Sequence, residues 1–336
     1  REQHIKREKA TSNICTAQAL LATMAGFYAV YHGPEGIRTI AKRIHNIAAY
    51  LEKEISKLGY KQVNVQYFDT LRFALPDNVS AQQVRTVALS KEVNLRYFKN
   101  GDVGMSIDET TDLAAVNVLL SIFGIAAGKD YTKTTDIPES CTIQQPFRRQ
   151  STYLTHEVFN RYHTETEMMR YIKRLDRKDI SLAHSMISLG SCTMKLNAAA
   201  EMLPLSRPEF MNMHPLVPEE QAEGYRELIH NLSEELKIIT GFAGVSLQPN
   251  SGAAGEYAGL RVIRAYLENI GQGHRNKVLI PASAHGTNPA SAVQAGFTTV
   301  TCACDEQGNV DMADLRAKAE ENKDDLAALM ITYPST

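Results

Sequence analysis

Apolar residues spaced three and four apart predict several helices in the first part of the chain. One helix is expected to end near Tyr31, where the run HGPEG at 32–36 interrupts the pattern. A second, longer helix is expected to end at Gly59, because glycine readily closes a helix. Ser80 has the side chain of an N-cap residue and predicts the start of a third helix.

Alternating apolar and polar positions predict strands between these helices. The pattern covers residues 63–67 and 71–75, and it returns on both sides of a Gly101 turn, over 95–98 and 103–107. Strands and helices in this mixture predict a compact α+β domain over residues 35–130.

From residue 218 onwards, strands and helices alternate regularly. The expected strands are 244–248, 277–280, 298–303 and 326–332. This alternation is typical of a parallel α/β sheet, in which ligands bind beyond the carboxyl ends of the strands. The loops after Gln248, Ile280 and Ile331 are therefore expected to share one crevice.

Residues 131–185 fit neither pattern. They combine prolines with many aromatic residues and then a charged helix at 165–177. Because the segment is too aromatic to be disordered, it predicts a linker that lies over folded surface.

Two loops of the expected sheet carry candidate chemistry. Ser251, Gly252 and Ala253 stand where a strand turns into a helix, and unpaired amides at a helix start favour an anion such as phosphate. The alternative is a tight turn that binds nothing. His285 follows the next strand, and an imidazole beside a phosphate site suggests pyridoxal phosphate; alternatively, His285 is a loop-capping or core histidine.

Composition excludes several classes of protein. The net charge of −2 without a large basic patch argues against nucleic acid as a partner, and no apolar run approaches the length that a membrane span needs. The five cysteines form no Cys-x-x-Cys pair, which indicates a reducing compartment and no cysteine-rich metal site. The Gly-x-Ser-x-Gly elbow of hydrolases and the Walker loop are absent as well.

Three long motifs resemble the P-protein of the glycine cleavage system, the pyridoxal-phosphate-dependent glycine decarboxylase. They are ISLGSCTMKLN at 187–197, QPNSGAAGEY at 248–257 and SAHGTNPAS at 283–291. The segments REKATSNICTAQ at 7–18 and ITYPST at 331–336 are similar to that family too. The resemblance therefore runs from end to end.

The resemblance implies two related halves, each built like a fold-type-I pyridoxal-phosphate enzyme of the aspartate-aminotransferase kind. Such a domain has a parallel-rich sheet flanked by helices. Residues 1–34 would end the first large domain, 35–135 would form its α+β small domain, and 136–185 a wrapping linker. Residues 186–336 would open the second, catalytic large domain, which makes the chain a truncated, internal fragment.

The same resemblance implies roles for five residues. Ser251, Gly252 and Ala253 would hold the cofactor phosphate, His285 would stack on the pyridine ring as a catalytic residue, and Thr336 would lie near the phenolic oxygen. No metal ligand is implied.

The loop at 190–197 would lie at the mouth of the site; alternatively, it is a surface loop with a buried Cys192. The family's cofactor-bearing lysine, and the aspartate that pairs with the pyridine nitrogen, are expected beyond residue 336. Lys195 precedes the phosphate turn and is therefore interpreted as a loop lysine. The isolated chain is expected to be inactive.

The implied activity is glycine decarboxylation with transfer of the aminomethyl group to the lipoyl arm of the H-protein, an oxidoreductase reaction. Glycine, the lipoylated H-protein and a second copy or second half of the same protein are the implied partners, in bacterial cytoplasm or mitochondrial matrix. Two alternatives stay open. One is another fold-type-I enzyme, such as an aminotransferase or a desulfurase, and the other is a non-catalytic structural half.

Overall fold

The computed structural model describes residues 19–139, 143, 145–178, 184, 199–249 and 251–332. The chain divides into two compact units. One is formed by residues 25–175, and the other by residues up to 24 together with those from 176 onwards.

The first unit is a four-stranded sheet with helices. Its helices are α1 (Ala19–Lys57), α2 (Ala81–Ser90), α3 (Leu113–Ala127) and α4 (Glu165–Asp176), and a 3-10 turn covers Glu157–Asn160. Its strands are β1 (Lys61–Gln62), β2 (Thr70–Ala74), β3 (Arg96–Tyr97) and β4 (Val103–Ser106). Their order is β1-β2-β4-β3, and every neighbouring pair is antiparallel.

A large apolar core joins this sheet to α1, α2 and α3. The largest fully buried side chains in it are Leu51, Ile55, Leu71, Phe73, Val84, Val103, Val116, Leu120, Ile122 and Phe123. The predicted N-cap is confirmed, because the Ser80 hydroxyl accepts the Gln83 amide at 3.2 Å and the Gln83 side chain accepts the Ser80 amide at 2.7 Å. This capping box satisfies two amides that would otherwise lack partners.

The helix end expected near Tyr31 is confirmed. Gly33, with a φ of 61° and a ψ of −178°, lies outside the helical region and separates two helices that meet at a kink within α1. A Cβ at Gly33 would lie 2.7 Å from both His163 Cε1 and the Phe159 carbonyl oxygen, so only glycine fits there.

The strand expected at 63–67 is wrong. These residues form no strand, and Val65 is 93% exposed.

The second unit combines a parallel sheet with helices. Its helices are α5 (Ala199–Met202), α6 (Pro208–Met211), α7 (Glu223–Thr240), α8 (Gly252–Asn269), α9 (Thr287–Gln294) and α10 (Met312–Glu321), with 3-10 turns at Leu203–Ser206 and Glu219–Gln221. Its strands are β5 (Lys277–Pro281), β6 (Thr298–Cys302) and β7 (Leu326–Leu329).

The central strand of this sheet is β5, in the order β6-β5-β7, and both ladders are parallel. Val278, Leu279 and Ile280 form the continuous buried run that is typical of a parallel strand covered on both faces. The strands expected near 277–280, 298–303 and 326–332 are thus confirmed.

The strand expected at 244–248 is wrong. These residues pair with no strand within the part of the chain that the structure describes, and Leu247 is 39% exposed. Since a strand is defined by its ladder of hydrogen bonds, an apolar run without a neighbour remains irregular.

Both units together give a mixed α/β architecture with parallel and antiparallel sheets. Among the helices of the described residues, not one combines the length and the apolar character that crossing a bilayer requires.

Candidate functional site

The carboxyl ends of β5 and β6 lie side by side because the two strands are parallel. The Ala282 amide donates to the Cys302 carbonyl at 2.8 Å, directly after β5. The Cys304 thiol donates to the Ser283 hydroxyl at 3.4 Å. The loop that carries His285 therefore begins at the edge of the sheet where α/β proteins bind ligands.

The amino terminus of α8 is organised by Ser251. Its backbone is extended, and its hydroxyl accepts the Ala254 amide at 3.2 Å, while its carbonyl accepts the Gly255 amide at 2.9 Å. The amides of Gly252 and Ala253 donate to no group among the described residues. They are the unpaired donors that a helix start presents to an anion.

Gly252 leaves this helix end open. It is exposed, and a Cβ built on it would meet no atom within 4 Å. Beside the two unpaired amides, the described part of the chain therefore leaves the side-chain direction of Gly252 free.

The ring of His285 is exposed, but one of its nitrogens is engaged. The Thr287 amide donates to His285 Nδ1 at 3.1 Å, and the Asn288 amide donates to the His285 carbonyl at 3.0 Å. Because a backbone amide can only donate, Nδ1 is the acceptor, and in the neutral ring the proton lies on Nε2. His285 is thus a loop residue whose own α9 turn fixes its orientation.

Glu256 connects the two segments. It lies one turn into α8, and its carboxylate accepts the Ser291 hydroxyl at 3.4 Å, while the Thr287 hydroxyl lies 3.4 Å from that of Ser291. Burial raises the pKa of the Glu256 carboxyl, while the Thr287 hydroxyl, the charge of a protonated His285 and the Ser291 hydroxyl oppose this rise. The start of α8 and the His285 loop are therefore held together through this carboxylate.

Sequence reasoning missed Glu256 although it lies within the QPNSGAAGEY motif. The available signal was its position four residues before Leu260, which is 5% exposed, because i and i+4 positions share one face of a helix. A carboxylate on the buried face needs hydrogen-bond donors, and α9 supplies them.

The remaining predicted positions lie outside the described residues. These are Thr336, the loop at 190–197, Lys195 and Cys192. Over the described ranges, no group of three or more His, Cys, Asp or Glu side chains is placed to hold a metal ion.

The donors that the structure brings together fit a phosphorylated aromatic cofactor. Two unpaired amides lie at the start of an 18-residue helix, whose dipole favours a negative charge. An exposed imidazole stands on the segment that Glu256 ties to the same helix. These features match the phosphate and the flat ring of pyridoxal phosphate.

Comparison with known proteins agrees with the motifs. The sequence model of the family "Glycine cleavage system P-protein" matches residues 1–123. Over all 336 residues, the chain is 85% identical to a protein of Bacteroides fragilis strain YCH46 that is named glycine dehydrogenase (decarboxylating). Proteins of the same name from Bacteroides thetaiotaomicron and Christiangramia forsetii are 83% and 55% identical.

The chain spans 35% of the length of each of these relatives, and the alignments include every one of its residues. The resemblance that the sequence motifs indicate is confirmed: residues 1–123 match the glycine cleavage system P-protein model, and the whole chain aligns with a part of each glycine dehydrogenase (decarboxylating).

Proposed function

We propose that this chain is part of an enzyme with glycine dehydrogenase (decarboxylating) activity. In this reaction glycine loses carbon dioxide and its aminomethyl group passes to a lipoyl carrier. The observation that carries the proposal is the open amino terminus of α8 beside the His285 loop. The names of relatives that are 85% and 83% identical support it.

The α8 turn would bind the phosphate of pyridoxal phosphate. The amides of Gly252 and Ala253 would donate to phosphate oxygens, and the Ser251 hydroxyl, which accepts from Ala254, retains its own proton for a further hydrogen bond. The helix dipole adds a favourable field for the negative charge.

His285 would stack on the pyridine ring. Its Nδ1 accepts the Thr287 amide, so the plane of the imidazole is fixed before any ligand arrives. The Nε2 proton then remains available to a carboxylate or phenolic oxygen in the site. When bound, the cofactor supplies the electron sink that decarboxylation of an amino acid requires.

Thr336 would lie near the phenolic oxygen of the cofactor, as the family resemblance implies. The finer fold assignment belongs to the same proposal: residues 186–336 as part of a fold-type-I cofactor domain, supported by the parallel β6-β5-β7 sheet. The domain boundaries at 34, 135 and 185 stay predictions.

Partners follow from the reaction. Glycine is the proposed substrate, a lipoylated H-protein the acceptor, and a second copy or second half of the same protein the dimer partner. The bacterial origin of the relatives favours a bacterial cytoplasm as the compartment.

The substitution Gly252→Asp tests the phosphate site in a polypeptide that carries this sequence at the full length of its relatives. An aspartate suits the first turn of a helix, and Gly252 has open space around it, so the fold is preserved. The added charge repels phosphate. We expect the dissociation constant for pyridoxal phosphate to rise by about tenfold or more, a change of 1.4 kcal/mol.

The matched control is Gly259→Asp on the same helix, which is exposed and equally open. It should leave cofactor binding unchanged, and pyridoxal without a phosphate should not discriminate between the two variants. Equal binding of pyridoxal phosphate by Gly252→Asp and wild type contradicts the phosphate assignment.

The reaction itself is tested by exchange of labelled bicarbonate into glycine in the presence of lipoylated H-protein. Wild type should catalyse the exchange with glycine and not with alanine. Amino-group transfer to a keto acid without exchange would instead identify an aminotransferase.

A further inference from the structure

The Glu256 carboxylate has hydroxyl groups as its neighbours instead of a cation. Within the described part of the chain, no lysine or arginine forms an ion pair with it, and the group that donates to it is the hydroxyl of Ser291 in α9, which in turn contacts the hydroxyl of Thr287. Both residues are 4% exposed. A half-buried carboxylate that accepts from a buried hydroxyl is a specific arrangement, because such a hydroxyl finds few other acceptors.

The two hydroxyls are one helical turn apart, and their oxygens lie 3.4 Å from each other. Each hydroxyl has a single proton to donate. An ionised carboxylate only accepts, so the Ser291 hydroxyl donates its proton to Glu256 and accepts the proton of Thr287. Glu256 therefore fixes the first turn of α9 against α8.

That first turn contains the donor to His285. The amide that donates to His285 Nδ1 belongs to Thr287, whose side chain is linked to Glu256 through the Ser291 hydroxyl. A shift of Thr287 would move this amide, and His285 would lose the only contact that distinguishes its two ring nitrogens among the described residues.

We propose that Glu256 is a positioning residue that anchors Thr287 and Ser291 and thereby holds His285 in the orientation with Nδ1 as acceptor and the proton on Nε2. The orientation itself is independent of any ligand. Its use in stacking on a cofactor ring rests on the function proposed above.

Ring-nitrogen NMR of the 336-residue chain, labelled with ¹⁵N-histidine, tests the orientation without cofactor. A His285→Gln variant assigns the signals. In wild type we expect Nδ1 of His285 to show the shift of an unprotonated nitrogen, and Nε2 that of a protonated one. The opposite pattern overturns the proposal.

Three variants test the connection. Glu256→Ala and Thr287→Val should each move both His285 nitrogens towards the averaged shifts of a ring that exchanges between tautomers. Thr287→Ser keeps the hydroxyl and should restore the wild-type pattern. The control Glu268→Gln removes an exposed carboxylate from the same helix and should change nothing.

Thr287→Val keeps the shape of the side chain, so it provides a test even if Glu256→Ala fails to fold. Wild-type nitrogen shifts in a folded Thr287→Val chain would show that the hydroxyl does not position His285. The effects of Glu256→Ala and Thr287→Val should be non-additive in the double variant, because they break one network; additive effects count against it.

A second measurement separates this inference from the proposed function. In the polypeptide of full relative length, Glu256→Ala should raise the dissociation constant for pyridoxal phosphate about tenfold, as expected for a lost hydrogen bond to a charged group. If the wild type binds no cofactor, the proposed function is contradicted. The nitrogen shifts of His285 still test the positioning role of Glu256 in that case. An unchanged constant in Glu256→Ala, with wild type binding normally, overturns the role of Glu256 towards the cofactor.

Discussion

The two units of this chain differ in how completely they cover their apolar surface. In residues 25–175, Leu51, Ile55 and Phe73 are fully buried between helices and an antiparallel sheet. In the other unit, α7 has no buried residue at all, and Ile238 and Ile239 on it are 82% and 78% exposed. An amphipathic sequence pattern thus predicts a helix in both units, but only one of them buries the apolar stripe within the described residues.

The difference locates stability and chemistry in different places. The unit of residues 25–175 owes its stability to its own core, since burial of apolar area is the main favourable term in folding. The candidate site lies in the other unit, where the apolar cluster among the described residues is small: Leu260, Val278, Ile280, Ala292, Ala295 and Phe297. There, polar contacts such as those of Glu256 position the functional groups.

The largest effect is expected from Phe73→Ala in the core of residues 25–175. Loss of the ring and the cavity it leaves should cost about 3–5 kcal/mol of the free energy of unfolding. The control Ile238→Ala removes an exposed side chain of α7 and should change the free energy of unfolding by less than about 0.5 kcal/mol. Hydrogen-exchange mass spectrometry measures both, since peptides report each unit separately.

Faster exchange in peptides of residues 25–175 alone would sharpen the contrast between the units. Similar losses for Phe73→Ala and Ile238→Ala would break it, because the exposed face of α7 would then be packed in solution.

A glycine-to-alanine substitution should change the free energy of unfolding in opposite directions in the two units. A Cβ at Gly104 in β4 would lie 2.9 Å from Phe98 Cε2 and 3.3 Å from the Leu71 carbonyl oxygen, so Gly104→Ala should destabilise by about 1–3 kcal/mol. A Cβ at Gly259 in α8 would meet nothing within 4 Å, and Gly259→Ala should stabilise by about 0.5–1 kcal/mol. Urea denaturation followed by circular dichroism measures both, and equal signs would contradict the packing difference.

A small destabilisation is expected at Tyr60, whose hydroxyl donates to the Phe123 carbonyl at 2.9 Å. Tyr60→Phe should lower the free energy of unfolding by about 1 kcal/mol near neutral pH. Burial raises the pKa of Tyr60 to about 12, so the folded state holds this proton more tightly than the unfolded chain does. The contribution of the protonated Tyr60 hydroxyl to the free energy of unfolding is present below the usual tyrosine pKa and is lost as the pH rises through about 12.

Denaturation of the unit of residues 25–175, measured at about pH 9 and at about pH 11, checks how the stability from Tyr60 depends on pH. The difference in stability between wild type and Tyr60→Phe should shrink at the higher pH. Tyr28, which is 42% exposed, provides the control, because Tyr28→Phe removes a hydroxyl from the surface. A gap that grows with pH would show that the Tyr60 proton is not retained by burial.

Local features of the fold were predictable because their causes are local. The Ser80 cap, the end of a helix at Gly59 and the buried strand at 277–281 each depend on a few adjacent residues. The strands expected at 63–67 and 244–248 were wrong for one shared reason. Alternation or an apolar run makes a segment capable of pairing, but whether a partner strand lies beside it depends on residues far along the chain.

The candidate site divides in the same way. Ser251 could be identified as a helix start and His285 as a residue beyond a strand, since both follow from the order of elements. The contact of Glu256 with Ser291, and through it with Thr287, depends on how α8 packs against α9, across 35 residues in the case of Ser291. Sequence periodicity places Glu256 on a buried face but does not name the groups opposite it.

The kink at Gly33 has a consequence for the order in which the chain folds during synthesis. Its neighbours are held by residues made much later: the Tyr153 hydroxyl donates to the Pro34 carbonyl at 2.7 Å across 119 positions. His163 Nδ1 contacts the Tyr31 carbonyl oxygen at the same distance across 132 positions. Contacts of such high sequence separation form slowly, because a long loop must close first. A ribosome that pauses before residue 153 would therefore hold a nascent chain whose first helix has not yet acquired its final bend.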